Sequence, residues 1–314
     1  MTPPAPSPAR PWTPEPAGDP LRLTSQRLQR AITLADVRAR LVTLADVTAR
    51  HGGKRVAGSP GYSAAVEYVA RRLRAAGYVV ERHAFEFAID GRRVASASVV
   101  GELAGADGNE VLILGAHLDS VAHKAGMNDN GSGSMVLLAL AERLASFERP
   151  ARTVRFAFWG AEEPGRYGST AYVDSLSADE RRRITAYLNF DMLGSPNFVR
   201  FIYADEAAAD GSAAITDLFA GHFDTRGLAW DTFDLSGKSD QAPFSAAGMA
   251  TGGLFSGGGE LKTDAQAASM GGTAGLPADG CDAAACDTLD HLNGVVLDQM
   301  ADAIAHAIAE LAGG

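Results

Sequence analysis

The chain has only two cysteines in 314 residues, and no CxxC pair is present, which excludes a structural zinc knuckle. No apolar run is long enough to span a bilayer. Basic residues are in deficit, 28 Lys and Arg against 38 Asp and Glu. The resulting net charge of −10 argues against nucleic acid or an anionic membrane as partner. Neither an internal repeat nor an internal linker divides the sequence, so residues 21–314 are expected to form a single domain. Residues 1–20, MTPPAPSPARPWTPEPAGDP, lack the apolar core of a signal peptide. Their Pro-rich composition predicts a disordered arm or the stub of a removed leader. Glycine is abundant at 35 residues, often beside acidic residues, as in loops that approach a site closely. Cys281 and Cys286 lie five apart and fit a local disulfide, two thiols or half of a metal site.

Apolar spacing predicts helices over about 21–50, 63–76, 131–146, 168–176, 213–220 and 297–311. Strands are expected at YVVERHAFEFAI and RRVASASVVGEL near a sheet edge, and at 111–116, 153–159, 186–192, 199–203 and 249–255. Near-continuous apolar strands alternating with helices imply a mostly parallel sheet covered on both faces. The expected fold is a three-layer α/β/α sandwich with a mixed, mostly parallel central sheet.

Three of these strands run into ligand-type residues. VLILGAHLDSVAHKAGMNDNGSG carries His117 and Asp119 at the strand exit, then Asp129 in a Gly-rich loop. TVRFAFWGAEE ends in Glu162 and Glu163, and AYLNFDMLG delivers Asp191. In open α/β sheets, sites form beyond the carboxyl ends of the strands. Each motif also has an ordinary explanation. HxD fits a core histidine hydrogen-bonded to an aspartate, NDNG a surface turn, EE a solvated loop, and Asp191 a salt bridge to Arg or Lys. Their joint occurrence favours a metal site, because adjacent buried acids are costly without a cation. Neutral imidazole and carboxylates suit Zn²⁺, and two ions about 4 Å apart can polarise a carbonyl and activate a water. The remaining glutamate is then placed to take that water's proton and hand it to the leaving amine, which is amide hydrolysis.

With RVAGSPGYSAAVEYVARRLRAAGY, GAHLDS, GMNDNGSGS, FWGAEE, YLNFDMLGSPN, KSDQAPF and GGLFSG in order, the sequence resembles the co-catalytic zinc aminopeptidases. That family includes the bacterial secreted leucyl aminopeptidases and aminopeptidase Y, and the likeness runs from about Ile32 onward. No room exists for the family's protease-associated insert, which implies the compact subtype. The resemblance implies that His117 and Asp191 hold one zinc, Asp129 bridges, Glu163 binds the second, Glu162 is the general base and Asp119 orients His117. Asp240 would be a supporting acid, while Phe255, Gly253 and Lys238 would bind substrate. It further implies a Cys281–Cys286 disulfide, secretion, a monomer, and peptide or protein N-termini, especially apolar ones, as substrate.

The likeness breaks at CDAAACD. Asp282 stands where the family has Tyr, and Ala283 where it has the last zinc-binding His. A methyl group cannot ligate, so a weakened second site is the first expectation. Asp282 turning in as a substitute ligand is the second, and His291 or His123 reaching across is a third. Two alternatives to aminopeptidase action follow: an impaired relative that binds peptide N-termini, or a single-zinc relative with glutaminyl cyclase-like or carboxypeptidase chemistry.

Overall fold

A computed structural model describes residues 21–204, 209–235, 237–281 and 286–313. The N-terminal arm, Asp282 and Ala283 lie outside the described residues. Strands β1 (Val79–Ile89), β2 (Arg92–Leu103), β3 (Val111–His117), β4 (Thr153–Trp159), β5 (Ile184–Asp191), β6 (Phe201–Tyr203), β7 (Asp231–Phe233) and β8 (Thr251–Phe255) form one sheet. Its order is β1-β2-β4-β3-β5-β8-β6-β7. The central strands β4, β3, β5 and β8 run parallel, while β1, β2 and the β6–β8 pairing introduce antiparallel edges. β1 lies at the edge, as its alternating sequence predicts.

Helices α1 (Ser25–Ala31), α2 (Leu34–Arg50), α3 (Pro60–Ala75), α4 (Gly133–Leu144), α7 (Ser212–Thr225) and α10 (Gly294–Ala312) pack on one face. Between these in sequence come α5 (Tyr167–Ser175), α6 (Ala178–Arg183), α8 (Gln241–Ala246) and α9 (Asp264–Met270). α5 and α8 cover the other face. β3 shows the layering directly. Leu112, Leu114 and Ala116 enter one core, and Val111 and Ile113 enter the other. Every residue of β3 is buried, as a central parallel strand requires.

Several boundaries differ from the sequence reading for local chemical reasons. The expected helix 21–50 is two helices, because Thr33 accepts from the Asp36 N–H and starts α2 anew. α3 begins three residues early, capped by Ser59 with Pro60 in its first turn. α6 and α9 were not expected. Each is short and carries a capping box, Ser177 with Glu180 and Thr263 with Gln266, but buries no side chain that would give a periodic signal. Cys281 and Cys286 form a disulfide with Cα atoms 5.4 Å apart, which closes the question left by their spacing. Among the described residues no helix is long and apolar enough to cross a membrane.

Candidate active site

His117, Trp159, Asp191 and Phe255 are the last residues of four neighbouring parallel strands. His117 is paired with Trp159, and Asp191 with Phe255. The C-terminal edge of the sheet therefore gathers residues far apart in sequence. His117 Nε2 lies 3.1 Å from Asp129 Oδ1 and 3.4 Å from Asp191 Oδ1. Its Nδ1 faces the Asp119 carbonyl oxygen at 3.3 Å. A proton on Nδ1 leaves the Nε2 lone pair facing the two carboxylates, the tautomer a metal requires.

Asp119 is fully buried, and its carboxylate is 3.7 Å from His117 Nδ1, beyond hydrogen-bond reach. It accepts instead from the backbone N–H of Glu162 at 3.1 Å and of Glu163 at 3.3 Å. Its backbone orients the imidazole while its side chain holds the glutamate loop. That loop is sharply bent, with Ala161 in the left-handed region at φ 56°, and Met192 after Asp191 is there too at φ 45°. Such non-glycine conformations cost about 1–3 kcal/mol each and persist where surrounding structure enforces them.

Asp129 sits in the Met127–Ser132 turn. Asp287 accepts from the backbone N–H groups of Asn128 at 2.6 Å and Asp129 at 3.2 Å. The amide of Asn130 donates to the Phe190 carbonyl at the end of β5, 2.8 Å away. Arg55, buried in the loop before α3, donates to the carbonyls of Leu118, Ala125 and Gly126 at 2.9, 2.5 and 2.8 Å. Asp191 Oδ2 accepts from Ser239 Oγ at 2.9 Å, while its buried Oδ1 makes no hydrogen bond. Asp191 thus has His117, not Arg or Lys, as its ionic partner among the described residues.

Burial and mutual repulsion dominate the electrostatics. Burial, then the charge of Asp129, pushes Glu163 up to about 8. Glu162 is raised well above its ordinary value by burial; Asp240, Asp191 and Asp119 add to this and His117 opposes it. Burial lowers His117, but the charge of Asp191 and the adjoining carboxylates of Asp119 and Asp129 outweigh it and leave the imidazole raised. Asp240, fully buried with Ser169 Oγ donating at 2.5 Å, is pushed up to about 7 by burial.

These side chains suit one cation. Donor atoms of His117, Asp129 and Asp191 all lie within 4.8 Å of one another, and the unpartnered Asp191 Oδ1 belongs to that group. A second position does not fit as well. Lys124 Nζ lies 2.6 Å from Asp129 Oδ2, and the Val121 N–H donates to Glu163 Oε1 at 3.1 Å.

The profile of peptidase family M28 matches residues 98–308. The chain belongs to peptidase family M28. It is 41% identical over 286 residues to leupeptin-inactivating enzyme 1 of Streptomyces exfoliatus, covering 90% of this chain and 63% of that protein. An aminopeptidase of Pseudomonas aeruginosa is 44% identical over 220 residues, covering 68% of this chain and 41% of the relative. The chain thus spans less than two thirds of the length of these curated relatives. Among solved structures, an aminopeptidase from Aneurinibacillus sp. strain AM-1 superposes with TM-score 0.77 at 18% identity, over 92% of this chain and 96% of that one. A glutaminyl cyclase of Porphyromonas gingivalis gives 0.71 at 17% identity, over 90% and 99%. At those identities the likeness establishes the α/β/α fold of this M28 chain.

Other expected residues are placed unevenly. Phe255 is buried beside Asp191 in an aromatic cluster with Phe201 and Phe233. Gly253 lies within β8, where a Cβ would come 1.9 Å from the Asn189 carbonyl oxygen. Strand packing alone thus demands glycine there. Lys238 is exposed in the loop before Ser239. His291 does not reach across, since its Nε2 bonds Asp279 Oδ1 at 2.6 Å. His123 is exposed and outside the His117 group. Lys124, Arg55 and Asp287 were not singled out from sequence. Each lies in a loop and acts on a partner that its own motif does not reveal.

Proposed function

We propose that this M28 chain is a zinc-dependent aminopeptidase that removes N-terminal residues, apolar ones by preference, from peptides. The observation that carries the reading is the meeting of His117, Asp129 and Asp191 at the ends of the parallel strands, with the glutamate pair held beside them by Asp119. The imidazole and the two carboxylates would hold the ion. Zinc bound there supplies Lewis-acid polarisation of the scissile carbonyl and of water. Glu162 takes a proton from the attacking water and returns it to the departing amine. Its neighbour Glu163 faces the 121–124 loop, so the adjacent carboxylates have different surroundings. Excess acid around the pocket favours a substrate bearing a free α-ammonium group over one ending in a carboxylate, which sets aminopeptidase above carboxypeptidase action. Phe255 and its aromatic neighbours are the apolar surface adjoining Asp191. The role of Lys238 would be confined to the rim.

The same reading places the protein outside the cytosol, because the Cys281–Cys286 disulfide suits an oxidising compartment. It also takes residues 21–314 as one catalytic domain acting as a monomer. The test is hydrolysis of leucine p-nitroanilide against its N-acetylated counterpart, before chelation, after chelation and after zinc is restored. Turnover confined to the free amine, lost with the metal and regained with zinc, is the expected result. Absence of turnover by folded, zinc-loaded protein would reject the reading. Pyroglutamate formation from an N-terminal glutaminyl peptide in that sample would replace it with cyclase chemistry.

A further inference from the structure

The two oxygens of Asp129 face different partners. Oδ1 lies 3.1 Å from His117 Nε2, and Oδ2 takes the Lys124 ammonium at 2.6 Å. The Lys124 side chain is only 2% exposed, so its charge is held inside the acidic pocket. Three residues earlier on the same loop, the Val121 N–H occupies Glu163 Oε1. One short loop therefore engages both carboxylates, Asp129 and Glu163, that a second ion would have to share. An ammonium and a divalent ion on one carboxylate oxygen repel each other, and burial strengthens that repulsion. The resemblance points the same way, since Ala283 stands at the sequence position where the co-catalytic zinc aminopeptidases have their last zinc-binding His.

We propose that the Lys124 ammonium stands in for a second metal ion, so that this centre binds one zinc and carries its other positive charge covalently. This rests on His117, Asp129 and Asp191 being the ligands of the first ion. Lysine differs from a bound ion in two ways: it cannot be removed by chelation, and it offers hydrogen-bond donors in place of open coordination positions. Asp129 is then a bridge between an ion and an ammonium, fixed on both sides.

The experiment is zinc stoichiometry and calorimetric zinc titration on the full chain, for the wild type, Lys124→Met, Lys124→Gln and His117→Ala. The wild type should hold one zinc per chain and show a single binding phase, even in excess zinc. Both Lys124 variants should show an added, weaker phase as Asp129 Oδ2 and Glu163 become available. Two zinc ions of similar affinity in the wild type would overturn the proposal. So would a folded Lys124 variant that still binds one ion only, since the lysine would then not be what excludes the second. His117→Ala separates the underlying reading from the proposal. Loss of the first phase supports these ligands, and its retention refutes them whatever the Lys124 variants do.

Discussion

Asp119 shows how much of this site depends on a side chain that is not itself a proposed ligand. Its carboxylate gives one oxygen to each backbone N–H of the glutamate pair, while its carbonyl oxygen faces His117 Nδ1. Asp119→Asn replaces one acceptor oxygen with an amide donor that opposes a backbone N–H. The loop and the imidazole should both lose definition, and zinc affinity should fall by about 10–100-fold, as when an outer partner of a metal site is removed. Competition against a chromophoric chelator measures this, and unchanged affinity would show that the backbone alone orients His117. Asp119, Glu162, Glu163 and Asp191 stood out in the sequence because each ends or closely follows an apolar strand, where an unpaired carboxylate needs an explanation, and Asp129 because it lies in the Gly-rich loop beyond one. Lys124 and Arg55 were not. A loop cation looks the same whether it is solvated or buried, and only tertiary contact reveals that Arg55 ties Leu118, Ala125 and Gly126 together.

Elements contribute through registry. A hydrogen-bond chain links the strands beneath the site: Trp159 Nε1 donates to Tyr187 Oη at 2.8 Å, and Tyr187 donates to Asn189 Oδ1 at 2.7 Å. Asn189 Nδ2 then donates to Ser239 Oγ at 3.0 Å, and Ser239 donates to Asp191 at 2.9 Å. Tyr187→Phe leaves a buried indole N–H and a buried amide oxygen unpaired, which should cost about 1–3 kcal/mol of stability. Thermal or denaturant unfolding checks it; a change below about 0.5 kcal/mol, the usual scale of surface substitutions, would contradict it. The central strands were readable from their continuous apolar runs, since parallel strands buried on both faces admit few other residues. α6 and α9 were not readable, because short helices without a buried face leave no periodicity to detect.

For the whole molecule, acidity and packing together set the response to pH. His222 on α7 faces His306 on α10, with ring centroids 4.9 Å apart and Arg226 nearby. Burial first, then Arg226 and His306, pushes its imidazole down to about 3 from an ordinary value of 6.5. The unfolded chain therefore takes up this proton below pH 6.5 while the folded chain does not. Stability contributed by neutral His222 is present above pH 6.5 and is lost as pH falls toward 3. Asp302 on α10, raised to about 6 chiefly by burial, acts in the opposite sense and loses stability as pH rises through 4 to 6. His222→Leu should flatten the acid limb of a melting-temperature profile between pH 6.5 and 3; an unaltered limb would show that the α7–α10 interface does not govern it. The overall α/β/α architecture was fully legible, because alternating strand and helix patterns over one chain allow few layer arrangements. The placement of Lys124 against Asp129 was not, since neither spacing nor composition shows which carboxylate a loop cation meets.

The central claim, metal-assisted peptide hydrolysis with Glu162 as the base, is tested most directly by Glu162→Gln. Leucine p-nitroanilide turnover and bound zinc are measured on the same preparations of variant and wild type. Turnover should fall by at least about 10²-fold, the lower bound for loss of a positioned general base, with zinc content unchanged. Wild-type turnover in a zinc-loaded Glu162→Gln protein would contradict the assignment of the base and the mechanism built on it.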